Sequence, residues 1–123
     1  MKIGFIGTGK ITSSIIYGIF KSKLKITKIY ISLRNRTIAK KLNKKFRSVK
    51  IVKDNQEIID SSSLIFLAVT PTVGIKILSK LKFKSNKKII SFIATISLAS
   101  LKKLTKNNNV VRVIPLPPIE IKK

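Results

Sequence analysis

Short apolar runs alternate along this chain with segments in which apolar residues recur every three or four positions. A short apolar run is typical of a β-strand, and a recurrence of three to four positions is typical of one face of a helix. Strands are therefore predicted at residues 3–6, 28–32, 49–52, 64–69, 88–93 and 110–114. Helices are predicted at residues 10–20, 37–46 with Thr37 as the cap, 55–60, 73–81 and 98–104.

The order of these elements predicts the fold class. Strand and helix alternate throughout, which favours right-handed strand–helix–strand crossovers within one sheet. Residues 64–69, Leu-Ile-Phe-Leu-Ala-Val, are apolar at every position, as expected for a parallel strand covered on both faces. We therefore predict an α/β domain: a doubly wound parallel sheet with helices on both faces.

Length and composition limit the chemistry available to this fold. The chain has 123 residues, 44% of them hydrophobic, which is enough for one domain with a core. It contains no Cys and no His, and only four carboxylates: Asp54, Glu57, Asp60 and Glu120. Thiolate nucleophiles, imidazole bases and ordinary zinc sites are therefore excluded. We predict no metal site and no catalytic side chain, so any chemistry must come mainly from a bound cofactor.

The net charge of +23 attracts polyanions, yet the lysines are spread from Lys2 to Lys123 rather than collected in one tract. With 7% aromatic residues and no aromatic-rich RNA-binding motif, a specific nucleic-acid partner is not expected. A membrane partner is not expected either, because the longest mostly apolar stretch, 89–101, is shorter than a span of about 20 residues. The N-terminus lacks the continuous apolar core of a secretory signal, so we expect a cytoplasmic protein.

The strongest local motif is Gly7-Thr8-Gly9, placed between the first predicted strand and the first predicted helix. A glycine pair in this setting allows a sharp turn, close approach of a diphosphate, and free N–H groups directed at it. The segment predicted to bind a dinucleotide is Ile6, Gly7, Thr8, Gly9, Lys10 and Ile11. The third position of the fingerprint is Thr12, from which we expect looser packing or a shifted turn.

The residues at the end of the second predicted strand indicate which dinucleotide the turn binds. NAD binders place an Asp or Glu there for the ribose hydroxyls, but here no carboxylate occurs before Asp54. The polar residues at this position that are predicted to bind a 2′-phosphate are Ser32, Arg34, Asn35, Arg36 and Thr37. NADP(H) is therefore predicted over NAD(H).

With these residues in hand, the chain resembles the N-terminal domain of the pyrroline-5-carboxylate reductase family, within the wider group of deazaflavin-dependent NADP reductase-like proteins. The opening Ile-Gly-Phe-Ile-Gly-Thr-Gly at 3–9 and the segments 64–71, 90–96 and 111–115 carry the resemblance. It implies a Rossmann-type fold. It also implies cofactor contacts from Asn55, from the strand end at Ala68, Val69, Thr70 and Pro71, and from Ala94 beside the nicotinamide.

The resemblance further implies an activity and a domain arrangement. The family's reaction is hydride transfer from NADPH to a cyclic imine, in proline biosynthesis, so a small-molecule imine substrate is expected. In the family a helical C-terminal domain forms the oligomer. We accordingly predict a dinucleotide-binding domain at 1–114, and a Pro-rich connector at 115–123 toward such a domain, which is absent from this chain.

Departures from the family pattern fall at the nicotinamide end. Thr70 stands where the family has a lysine, Thr95 replaces a glycine, and Leu116 replaces an asparagine near the reactive ring. Leu116 and the missing second domain leave open a non-catalytic NADP-binding or sensing module. The net charge of +23 leaves open, as a less favoured alternative, a basic nucleic-acid-binding protein.

Overall fold

The computed structural model describes residues 1–22, 24–33 and 35–113. The strands are β1 (Lys2–Ile6), β2 (Lys28–Ser32), β3 (Val49–Val52), β4 (Leu64–Leu67), β5 (Lys88–Ser91) and β6 (Val110–Arg112). The helices are α1 (Lys10–Lys21), α2 (Arg36–Lys45), α3 (Asn55–Ser61), α4 (Pro71–Leu78) and α5 (Leu98–Thr105). The predicted connector at 115–123 lies outside the described residues, as does Arg34.

The strands form one six-stranded sheet in the order β3-β2-β1-β4-β5-β6, and every neighbouring pair is parallel. This confirms the prediction of a doubly wound, Rossmann-type α/β fold. The strand order reverses between β1 and β4. Ligands of open α/β sheets bind outside the carboxyl ends of the strands at such a reversal.

Two apolar cores lie on opposite faces of the sheet. One packs α3, α4 and α5 against the sheet, with Ile59, Leu78 and Leu101 buried in it. The other packs α1 and α2 against the opposite face, with Ile16 and Leu42 buried. The central strands are therefore covered on both sides, which explains their continuous apolar sequences.

Three strands are shorter than the apolar pattern predicts. β4 stops at Leu67 rather than residue 69, β5 at Ser91 rather than residue 93, and β6 at Arg112 rather than residue 114. After β5 the Ser91 hydroxyl accepts the N–H of Ile93 at 3.1 Å and turns the chain out of the sheet. Beyond β5, Ile93 packs on a core, and beyond β4, Val69 lines cavities, so hydrophobicity alone does not fix the strand boundary.

The predicted cap of the second helix is also corrected. The N-cap is Asn35, whose side-chain oxygen accepts the N–H of Ile38 at 3.1 Å, and not Thr37. Asn and Thr are both good N-cap residues, and Asn ranks higher. Helix α2 therefore begins at Arg36, which brings this side chain to the end of β2.

A buried lysine holds the end of α3. The Lys87 side chain is 9% exposed, and its Nζ donates to the carbonyl oxygens of Asp60 at 3.2 Å and Ser62 at 2.7 Å. Carbonyl groups at a helix C-terminus lack intrahelical donors and carry partial negative charge, so an ammonium group satisfies both requirements.

In the described part of the chain, no helix is long and apolar enough to cross a membrane.

Replacing Lys87 by Met should destabilise the fold, because it leaves the two carbonyl oxygens without their charged donor. We expect the free energy of unfolding to fall by about 1–3 kcal/mol. The matched control is Lys88→Met, which removes the same charge from an exposed neighbour. Urea denaturation measures both, and an equal effect at 87 and 88 would show that the carbonyl contacts contribute nothing.

Candidate functional site at the glycine turn

The turn between β1 and α1 requires a glycine at its first position. Gly7 has a φ of +100°, which side-chain-bearing residues rarely adopt. A Cβ at this position would also lie 2.3 Å from the carbonyl oxygen of Ala68, at the end of β4. Gly7 therefore lets the turn pass directly against the neighbouring strand end, at the point where the strand order reverses.

Three buried hydroxyl groups hold this turn. The Thr12 hydroxyl donates to the carbonyl of Gly7 at 2.8 Å, and the Ser32 hydroxyl accepts the Gly7 N–H at 3.2 Å. The Thr8 hydroxyl donates to the Ser32 carbonyl. Thr12, at the third position of the fingerprint, is fully buried. Its hydroxyl is accommodated inside the turn by satisfying the Gly7 carbonyl.

The second glycine leaves open space in front of α1. A Cβ at Gly9 would have no atom within 4 Å. The first intrahelical bond runs from Ser13 N to Gly9 O at 3.0 Å, so the N–H groups of Lys10 and Ile11 have no intrahelical acceptor. The first turn of α1 carries no acidic residue. Open space, free donors and the positive end of a helix dipole together favour an anion.

A cavity of about 440 Å³, called here the turn cavity, lies at this position. The end of β4 forms one wall, and the start of α2 contributes Asn35 and the exposed cation Arg36. The residues that line it are Gly7, Thr8, Gly9, Asn35, Arg36, Ala68, Val69 and Thr70. Its chemistry is that of an anion site: backbone donors, one amide and one guanidinium.

A second cavity of about 240 Å³, called here the adjoining cavity, shares Gly7 and Val69 with the first. The residues that line it are Ile6, Gly7, Ser32, Leu33, Lys53, Asn55, Val69 and Ile77. It combines an apolar wall with the amide of Asn55 and the exposed ammonium of Lys53. The two cavities lie along the carboxyl ends of β1, β2, β3 and β4. An extended ligand that spans several strands would lie along both of them.

Lys53 is a lining residue that sequence reasoning missed. It directly follows β3, so the order of the strands places it at the same sheet edge as the glycine turn. The signal that could have identified Lys53 is its position directly after a predicted strand. In a chain with 27 Lys and Arg residues, one more lysine did not stand out.

Most of the residues predicted to bind a cofactor are brought together here. Those that line either cavity are Ile6, Gly7, Thr8, Gly9, Ser32, Asn35, Arg36, Asn55, Ala68, Val69 and Thr70. Lys10 and Ile11 begin α1, and Pro71 begins α4, beside the lining residues, but they line neither of these two cavities. Arg34 lies outside the described residues.

Ala94 and Thr95, which the resemblance assigns to the nicotinamide end, line neither of these cavities. Ala94 is exposed on the loop after β5, where its carbonyl accepts a hydrogen bond from the Arg112 guanidinium. Thr95 lines a different cavity of about 670 Å³ between α4 and α5. Leu116 lies outside the described residues. The structure thus brings together the side of the site predicted for the adenosine and diphosphate groups.

Comparison with known proteins gives a consistent set of relatives. The family model described as NADP oxidoreductase coenzyme F420-dependent matches residues 2–95. Pyrroline-5-carboxylate reductase 3 of Danio rerio is 32% identical over 122 residues, which cover 96% of this chain and 42% of that protein.

Solved structures agree with this relationship. The 1-pyrroline-5-carboxylate reductase of Streptococcus pyogenes matches with a TM-score of 0.70 and 29% identity, over 94% of this chain and 42% of that one. The pyrroline carboxylate reductase of Plasmodium falciparum, solved with NADP bound, matches with a TM-score of 0.74 over 94% of this chain and 42% of that one. At 24% identity the latter likeness is one of fold. The chain therefore spans about 42% of the length of these relatives.

The two glycines should respond differently to the same added methyl group. Gly7→Ala should lower the free energy of unfolding by more than about 2 kcal/mol, because φ is strained and the Ala68 carbonyl is in the way. Gly9→Ala should lower it by no more than about 1 kcal/mol, the difference between Gly and Ala at an N-cap. In Gly9→Ala the methyl group instead occupies the space in front of α1, so dinucleotide affinity should fall. Urea denaturation and titration calorimetry measure the pair, and equal stability losses would contradict the geometry.

Proposed function

Because this chain belongs to the NADP oxidoreductase coenzyme F420-dependent family, we propose that its glycine turn and the two cavities beside it bind NADP(H). The observation that carries this proposal is the open space at Gly9, in front of free helix N–H groups and at the reversal of strand order. A diphosphate needs close backbone approach, several N–H donors and positive potential, and this turn offers all three.

The proposed coenzyme lies across the carboxyl ends of the strands. Its diphosphate is bound by the backbone of Gly9, Lys10 and Ile11. Its adenosine occupies the adjoining cavity, where Leu33 and Ile77 supply apolar surface and Asn55 a polar contact. Val69 and Thr70, at the start of α4, form the opposite wall of the turn cavity.

The preference for NADP(H) over NAD(H) is the finer part of the proposal. The last residue of β2 is Ser32, where an Asp or Glu would repel a 2′-phosphate. Arg36 lines the turn cavity and Lys53 the adjoining one, so cations flank the end of β2 on both sides. The sequence adds Arg34 at the same turn. The Plasmodium falciparum relative, which was solved with NADP bound, supports this choice of coenzyme.

We further propose that the whole protein reduces a cyclic imine of the pyrroline-5-carboxylate type, a step of proline biosynthesis. When bound, the nicotinamide supplies a hydride to the imine carbon. Residues 1–114 then bind and orient the coenzyme, and residues 115–123 connect them to a helical domain that forms the oligomer. The support is the shared name of the relatives and the match over nearly the whole chain.

Arg36→Ala should weaken NADPH binding by roughly tenfold to a hundredfold, the value of one charge-assisted hydrogen bond to the 2′-phosphate. NADH binding should change much less. Arg47→Ala is the matched control. Arg47 is exposed on the turn after α2, and its substitution removes the same charge at a distance from the cavities. Titration calorimetry with both coenzymes measures the effect. Equal losses for NADPH and NADH, or equal effects at 36 and 47, would refute a 2′-phosphate contact.

The product of the complete reading frame that encodes this chain should oxidise NADPH in the presence of 1-pyrroline-5-carboxylate and form proline. The reaction is followed by NADPH absorbance and by product analysis, with other cyclic imines as alternative substrates. NADPH binding without turnover of any imine would instead support the non-catalytic sensing module.

A further inference from the structure

The Ser32 side chain ends β2 at the position expected to meet the coenzyme ribose, yet it points beneath the glycine turn. It is 6% exposed. Its Oγ lies 3.2 Å from the backbone nitrogen of Gly7 and 3.0 Å from Oγ1 of Thr8. A hydroxyl in this position is a partner of the turn itself.

The direction of each hydrogen bond follows from the number of hydrogens available. Thr8 Oγ1 donates its hydrogen to the backbone carbonyl of Ser32, so it can only accept from the Ser32 hydroxyl. The Ser32 Oγ therefore donates to Thr8 and accepts from the Gly7 N–H. Both hydroxyl hydrogens and the Gly7 N–H are used within the protein, and none is free to bind a phosphate oxygen.

We propose that Ser32 and Thr8 are positioning residues: their paired hydroxyls fix the Gly7 N–H, and with it the start of the turn, so that the N–H groups of the residues after Gly7 converge on the diphosphate. This inference rests on the proposed function. It assigns to Ser32 a role in binding both nicotinamide coenzymes, in place of direct contact with the 2′-phosphate. Discrimination between the coenzymes then falls to the exposed cations Arg36 and Lys53.

Gly7 is held on both sides of its Cα atom. The Thr12 hydroxyl donates to the Gly7 carbonyl at 2.8 Å, and the Ser32 hydroxyl accepts the Gly7 N–H. The peptide bond between Ile6 and Gly7 is also anchored at its carbonyl, which accepts the Ala68 N–H at 2.8 Å. Without the Ser32 oxygen the Gly7 N–H becomes a buried donor with no acceptor, and a shift of the turn that relieves it displaces the backbone at Thr8 and Gly9, the residues that face the turn cavity.

The first test is titration calorimetry on Ser32→Ala with NADPH and with NADH. We expect both affinities to fall by a similar factor of about tenfold, so that their ratio stays at the wild-type value. A loss confined to NADPH would overturn the proposal, since it would make Ser32 a 2′-phosphate ligand. Unchanged affinity for both coenzymes would overturn it as well.

The second test uses Thr8, which allows a matched pair. Thr8→Val removes the hydroxyl and keeps the shape, whereas Thr8→Ser keeps the hydroxyl. We expect Thr8→Val to lose affinity for both coenzymes and Thr8→Ser to bind like the wild type. Because the two hydroxyls act as one unit, Thr8→Val/Ser32→Ala should bind no more weakly than either single variant. Additive losses in the double variant would contradict a shared role.

Folding and the proposed function are separated from this inference by two controls. Thermal melts show whether each variant is folded, and if Ser32→Ala is not, the Thr8→Val and Thr8→Ser comparison decides the question. Wild-type protein that binds neither NADPH nor NADH would refute the proposed function. Wild-type binding with a selective NADPH loss in Ser32→Ala would refute this inference alone.

Discussion

The hydrogen bonds that hold Gly7 are the constraint on which the site depends. Its carbonyl is bound by Thr12 of α1 and its N–H by Ser32 of β2, while its Cα lies against the end of β4. One residue thus joins the first helix and three strands at the point where the strand order reverses. The turn is set before any ligand arrives, which reduces the ordering that binding requires.

Charge plays two separate roles in this molecule. The excess of 23 positive charges draws any anion toward the surface and does not select among anions. Selection requires a cation beside the site, and among the residues that the structure describes Arg36 and Lys53 line the two cavities at the glycine turn. Arg36 lies beside the turn cavity because Asn35 caps α2, so that Arg36 is the first residue of the helix. Lys53 lies beside the adjoining cavity because β3 ends at Val52, the residue before it. The boundaries of α2 and β3 therefore determine which positive charges lie next to the proposed anion site.

The fold and much of the site could be predicted from sequence because the signals are local. The apolar runs give the strands, and the Gly7-Thr8-Gly9 motif between a strand and a helix gives the anion turn. Finer features depend on tertiary packing. Whether Ser32 faces solvent or the turn is decided by Gly7 and Thr8, more than twenty residues away. Val69 lines two cavities and lies beyond the end of β4. An apolar residue in a cavity wall and one inside a strand look the same in the sequence pattern.

The contact of Lys87 with two backbone carbonyls has a consequence for behaviour in acid. Acid unfolds many proteins by protonating carboxylates that are paired in the native state. The acceptors of Lys87 are amide carbonyls, which acid of ordinary strength leaves unprotonated. The chain has only four Asp and Glu side chains, so their neutralisation adds little to the existing positive charge. The contact that holds the end of α3 therefore persists at a pH that protonates carboxylates.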